Sequence, residues 1–375
     1  MNRPANSNEG VIVGAGPTGL AAALFLRRAG ISTRIVEVSP QPAVTSRALA
    51  VNPRSLDILQ HAGVADTFLH YGRPMTDVYF WRGRNVLAHV ELKHLPHRHK
   101  FLLALSQAST EGLLENELKK LGGIVERGKR VSDCRQKNGK VVIDVGGETI
   151  STNWLLGADG AHSIVRKDQE IGFPGDAFPE TWYLADVSLG DMPHTKNDTL
   201  SGHGWLRDEG GVIVYIPVIT GPDGPRNLWR IISNFPEPLQ NLPAGRMEGP
   251  PAWESDFHVS HRMASTLNVG NVYLAGDAAH IHSPIGARGM NLGMEDAFVF
   301  SELMRTGRIN EYGAMRHKVD EGVVDRIRTL TTVMRGASPF TRALRRYMMP
   351  LVAKTPFLRP ALLKMVTGLD HAIGV

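Results

Sequence analysis

Cysteine is almost missing from this 375-residue chain, in which Cys134 is the only one. That excludes an intramolecular disulfide and any cysteine-built metal or iron–sulfur centre, and it fits a reducing, cytoplasmic setting. No run of about 18 apolar residues could span a bilayer, and no cationic leader with an apolar core precedes the first apolar segment. Neither a membrane span nor a secretion signal is therefore expected. Internal repeats and low-complexity tracts are lacking as well. Acidic residues are absent from one stretch: Arg335 to Met365 carries seven basic residues and no acidic one, so the net charge of +5 belongs to this segment. Aromatic residues do not interleave with those charges as a single-strand groove would require, and nucleic-acid binding is not expected. Pro339, Pro350, Pro356 and Pro360 break the segment, which argues for short packed helices rather than one long helix on a membrane surface.

What is present is an ordinary globular composition, 42% hydrophobic and 21% charged, in a chain long enough for two packed domains. Residues 10–13 read as a buried strand, the segment from about Thr18 to Ala29 as an apolar helix, and 33–37 as a second strand, which together make a βαβ unit of a parallel sheet. Asn52 and Pro53 mark a helix start. Residues 76–81 and 86–92 alternate like antiparallel strands, and 107–121 returns to helical spacing. From about 182 to 259, β-branched and aromatic residues with repeated turn signals read as antiparallel sheet, and the chain is helical from about Met290 onward.

Three motifs carry chemistry. Gly14-x-Gly16-x-x-Gly19 sits at a strand-to-helix turn, where missing side chains let the backbone approach a pyrophosphate at a helix N-terminus. Glu37, at the end of the second strand, is placed to accept hydrogen bonds from ribose hydroxyls, which favours FAD or NAD over a 2′-phosphorylated nucleotide. Gly157-Ala158-Asp159-Gly160 puts a carboxylate directly after a buried strand. Ala275-Gly276-Asp277 does the same, and a loop from Pro284 to Gly289 then leads into a helix whose N-terminus suits an anionic group.

In this order and at these separations, the three motifs resemble the para-hydroxybenzoate hydroxylase-like family of flavoprotein monooxygenases, also called group A. The resemblance implies an α/β fold, with a Rossmann-like FAD-binding domain, a mixed or antiparallel β-sheet substrate domain and C-terminal helices. The expected division is 1–75, 102–180 and 266–335 for the FAD domain, 76–101 and 181–265 for the substrate domain, and 336–375 for the C-terminal helical segment. It implies that NADH or NADPH serves as transient co-substrate. It also implies that oxygen reaches a small to medium aromatic or apolar substrate through a flavin C4a-hydroperoxide.

Carried over by position, Gly14, Gly16, Gly19 and Glu37 would hold the adenosine diphosphate of FAD, and Arg47 and Gln107 would lie against the cofactor. Asp159 and Gly160 would form the family's DG turn, Asp277 would face the ribityl chain, and Pro284 would lie above the reacting edge of the flavin. Backbone N–H groups of Gly289, Met290 and Asn291 would face its pyrimidine end. Many relatives carry Gly-Gly-Gln-Gly where this chain has Gly286-Ala287-Arg288-Gly289. A basic Arg288 would suit an anionic reduced flavin.

Tyr215, in the strand 212–217, is the candidate for orienting or deprotonating a phenol, with His203 and Trp205 as lesser candidates. His94, His97 and His99 cluster beside Pro96 without a convergent ligand set, so no metal is expected. His280 and His282 are read as structural. The same fold could instead serve an FAD-dependent reductase or dehydrogenase, or a non-catalytic flavin- or ligand-binding protein. The expected state is a monomer or homodimer.

Overall fold

Five short parallel strands and one antiparallel edge strand make the first sheet of the computed structural model, which describes residues 10–44, 48–192 and 200–375. Its order runs Asn268–Val269, Val272–Leu274, Leu155–Gly157, Gly10–Val13, Thr33–Glu37 and Val125–Arg127. Gly10–Val13 is buried throughout, as a central strand with both faces covered should be. The helix Pro17–Arg28 covers one face through Leu20, Leu24 and their neighbours, against the helices Gln107–Lys120 and Gly289–Arg305. A separate three-stranded antiparallel meander spans residues 131–152.

The second sheet has eleven strands and is antiparallel apart from one pairing. Leu200–Leu206 runs parallel to Arg73–Arg82 and antiparallel to Val212–Pro217. Its two faces bury different things. On one, Trp81, Trp205, Tyr215 and Trp229 pack together. On the other, Phe80, Leu206, Val214 and Ile216 face the helix Tyr312–Arg335.

Local signals placed several boundaries. Asn52 caps the helix Pro53–His61 by accepting a hydrogen bond from the Ser55 N–H at 2.8 Å, and Pro53 opens it. Ser106 caps Gln107–Lys120 in the same way. Pro339 likewise opens a helix. Pro350 departs from the expectation of a break, because it lies inside the helix Pro339–Lys354. Proline removes one internal hydrogen bond there, and tertiary packing of buried Arg345 and Ala353 holds the helix across it.

Candidate active site

Three neighbouring strands deliver the three motifs to one edge of the parallel sheet. Val13 is in register with Gly157, and Gly157 with Leu274, so the glycine loop, the Asp159 turn and the Asp277 turn leave the sheet side by side at its carboxyl end. That edge is where open α/β sheets bind ligands. The turns also touch. A Cβ on Gly14, whose φ is +103°, would lie 2.3 Å from the Ala158 oxygen, and one on Gly276 would lie 2.4 Å from Thr18 Oγ1. Arg166 donates to the Ala278 carbonyl at 2.8 Å and to the Ala161 carbonyl at 2.9 Å, which ties the second motif to the third.

Gly16 differs from its neighbours. A Cβ there would meet nothing within 4 Å, whereas one on Gly19 would lie 1.9 Å from the Gly14 oxygen. Gly19 is thus needed for helix-to-loop packing, and Gly16 leaves open space at the N-terminus of Pro17–Arg28. Glu37 accepts from the Ala15 N–H at 2.7 Å and the Ser39 N–H at 2.8 Å, which holds its carboxylate against the loop with lone pairs left over for hydroxyl donors. Asp159 Oδ2 accepts from the N–H groups of Ile164 and Val165, while its Oδ1 is buried with no hydrogen-bond partner. Burial raises the pKa of this carboxyl. Asp277 is exposed although its neighbours Gly276 and Ala278 are buried. Open space beside a helix N-terminus, an orphaned inward carboxylate oxygen and an outward aspartate fit a dinucleotide.

Asn291 organises the last part. Its Oδ1 accepts from the Asn52 N–H at 2.9 Å, and its Nδ2 donates to the carbonyls of Ala50 and Ala287 at 2.9 and 2.7 Å. With the side chain so occupied, the first N–H groups of Gly289–Arg305 have no carbonyl one turn earlier in the helix and are available to an anion. Gln107 Nε2 donates to Glu111 at 2.9 Å, and its main-chain N–H donates to the Ala48 carbonyl, which braces the chain beside the loop containing Arg47. Arg47 itself lies outside the described residues.

Two sequence expectations change. Arg288 does not stand free beside a flavin site. Its guanidinium is buried and donates to the Met365 carbonyl and to Asp370, so it latches the C-terminal segment onto the loop. Tyr215 is fully buried on the aromatic face of the large sheet, 4.8 Å from the Trp205 ring, while its strand neighbours Val214 and Ile216 line the cavity. Strand alternation turns its hydroxyl away from any substrate there. The rings of His203 and Trp205 share that far face. Tyr215→Phe is therefore expected to leave kcat and KM within about twofold of wild type, as steady-state kinetics would check.

The cavity measures about 170 Å³. The large sheet forms one wall through Phe80, Val214 and Ile216, Pro284 and Ile285 form another, and Leu362 and Val366 of the helix Arg359–Thr367 close it. The C-terminal helices are thus more than packing on the cofactor domain.

Sequence reasoning did not find the ion network behind the third motif. Arg316, fully buried, donates to Asp296 at 2.7 Å and to Glu295 and Asp320 at 2.6 Å each. Asp296 also accepts from the Gly276 N–H and pairs with His280 at 2.8 Å, and Glu295 pairs with His371 at 2.7 Å. The i,i+4 spacing of Arg316 and Asp320 was the one legible hint.

Histidines on either side of this network titrate in opposite directions. Although burial opposes it, the Asp296 and Asp320 carboxylates raise His280 to about 9. Burial lowers His261 to about 4 and His282 to about 3. A histidine raised on folding contributes stability below its ordinary value of about 6.5 and loses it towards 9, whereas the lowered pair lose theirs as pH falls below about 6.5. For His261 this means a contribution to stability that is lost as pH falls from about 6.5 towards 4. His261→Phe should lessen that loss of melting temperature at acid pH, as calorimetry across pH would test.

The parallel sheet and the three turns that converge at its carboxyl end fit a dinucleotide-binding protein. Residues 8–238 and 239–327 match the family described as FAD binding domain. The chain belongs to that family, among the group A flavin monooxygenases. It is 32% identical over 367 residues to 6-methylpretetramide 4-monooxygenase of Streptomyces rimosus, covering 89% of this chain and 63% of that protein. It is 31% identical over 365 residues to rifampicin monooxygenase of Streptomyces venezuelae, covering 91% and 75%. The chain thus spans 63% and 75% of the length of these two relatives. The crystal structure of p-nitrophenol 4-monooxygenase from Pseudomonas putida DLL-E4 has the same fold, with a TM-score of 0.85 at 22% identity over 96% of this chain and 98% of that one.

Proposed function

We propose that this protein is an FAD-dependent monooxygenase that inserts one oxygen atom into a small to medium aromatic or otherwise apolar compound. The overall change is substrate plus O2, NAD(P)H and a proton to hydroxylated product, water and NAD(P)+. One observation carries the reading: the loop from Pro284 to Ala287 walls the apolar cavity and leads directly into the helix N-terminus of the cofactor site. A single loop thus brings substrate space and cofactor space together. Both curated relatives described above are named as monooxygenases, which supports the same reading.

Bound FAD would supply the transfer of two electrons from NAD(P)H to O2. Gly14, Gly16, Gly19 and Glu37 would hold its adenosine diphosphate, and Asp159, Gly160 and Asp277 the chain towards the ring. Gln107 and Arg47 would flank it. N–H groups of Gly289, Met290 and Asn291, backed by the helix dipole, would stabilise negative charge at the ring's polar end. Pro284, Ile285 and the large-sheet wall would keep water out.

The test is turnover of the FAD-loaded protein under 18O2 with NADH or NADPH and a panel of aromatic compounds. Product carrying one 18O atom is the expected result. Consumption of NAD(P)H with no labelled product from any compound would favour a reductase, and failure of both nucleotides to bleach the flavin anaerobically would favour a binding protein.

A further inference from the structure

Among the described residues, the cavity wall offers no carboxylate, amine, guanidinium or hydroxyl. His203 is its one polar residue, and that imidazole is turned to the other face of the sheet, where it meets Ser201 Oγ at 3.0 Å and the Trp81 indole at 3.3 Å. Arg82 and Arg207, near the far ends of the same strands, are committed elsewhere, Arg82 to Asp208 and Arg207 to Glu209. Arg345 beyond them donates to the carbonyls of Gly211 and Met334. An anionic substrate would therefore enter the cavity with no ion-pair partner, and a buried unpaired charge is strongly disfavoured.

Two glycines make the space. Gly202 and Gly204 alternate with His203 along Leu200–Leu206, so both present their bare Cα to the cavity. A Cβ on Gly204 would press on the Phe80 ring at 3.1 Å. On Gly202 it would meet Met75 Sδ at 3.5 Å and Val78 Cγ2 at 3.9 Å, which are ordinary contacts, and the backbone there has no positive φ. A side chain at 202 can thus be added without strain, and it takes its volume from the cavity.

We infer that the cavity selects a substrate whose buried part is uncharged and apolar, held by desolvation and close packing rather than by an ion pair, and that Gly202 sets the size it can reach. The inference rests on reading the cavity as the substrate site, and it adds that no described side chain of the wall serves as anchor or base.

The experiment measures binding, separately from turnover. Holoenzyme with oxidised FAD is titrated with 2-methoxynaphthalene and with 2-naphthoate, similar in size and different in charge, and the change in flavin absorbance is followed. The neutral probe is expected to bind at least about a hundredfold more tightly, from the penalty for burying an unpaired carboxylate. Gly202→Ala should weaken it by about tenfold and Gly202→Val further, from overpacking, with FAD content and melting temperature held. Equal or tighter binding of 2-naphthoate, no binding of either probe, or wild-type affinity in both Gly202 variants would overturn the inference. If the neutral probe binds as expected and no 18O product forms from any compound, the cavity's selectivity stands and the monooxygenase reading fails.

Discussion

A Gly16→Val variant is expected to fold and to purify without its flavin. Gly16 has φ −72° and ψ −176°, a conformation valine adopts readily, and beyond its two chain neighbours no atom lies within 4 Å of the position its Cβ would take. The backbone and the space for a Cβ both admit the substitution. What it fills is the open space at the N-terminus of Pro17–Arg28, where a pyrophosphate must come close to main-chain N–H groups. Two branched methyl groups there would cost on the order of 3 kcal/mol of cofactor binding, about a hundredfold in affinity. The visible flavin absorbance of the purified protein measures the loss, and circular dichroism with the apoprotein's melting temperature confirms the fold. A variant that retains stoichiometric flavin would place the pyrophosphate elsewhere. Gly19→Ala makes the contrast, because its Cβ would collide with the Gly14 oxygen and the fold itself should suffer.

The largest expected loss of stability comes from Arg316→Leu. One guanidinium donates to three buried carboxyl groups, those of Glu295, Asp296 and Asp320. Leucine would leave them facing one another in a buried site. Breaking a buried ion pair from one side costs about 3–5 kcal/mol, because the abandoned charge stays buried. For a chain of this size that corresponds to a melting temperature lower by roughly 4–6 °C. Arg316→Lys should recover part of the loss, since it restores the charge but cannot direct donors at three carboxylates at once. Because Asp296 also accepts from the Gly276 N–H, the Asp277 turn should loosen, and flavin release on heating should move down with the protein. A destabilisation below about 1 kcal/mol in denaturant melts would show that these acids find other partners or take up protons cheaply.

Much of this site could be read along the chain because its parts are local. A glycine loop between an apolar strand and an apolar helix, an acid closing the next strand, and aspartates directly after buried strands each lie within a few residues, and backbone sterics give them meaning without a partner. The sequence order of the motifs then implied one shared edge of a parallel sheet, where Val13, Gly157 and Leu274 stand in register.

Tyr215 and Arg288 show where that kind of reading ends. The strand Val212–Pro217 is apolar on both faces, so its period of two cannot say which face meets a cavity and which meets the tryptophans. Arg288 sits in a motif, yet its partners Met365 and Asp370 are some 80 positions away. Long separation likewise hid the closing of the cavity by Leu362 and Val366 and the space made by Gly202, whereas Arg316 meets acids only 4 to 21 positions away, which helix packing brings together. By itself the sequence determined the three turns and the strands that carry them, since those depend on turns and caps between near neighbours. Only the tertiary structure decided which residues face the substrate space, because that depends on how a two-sided sheet and the last helices pack together.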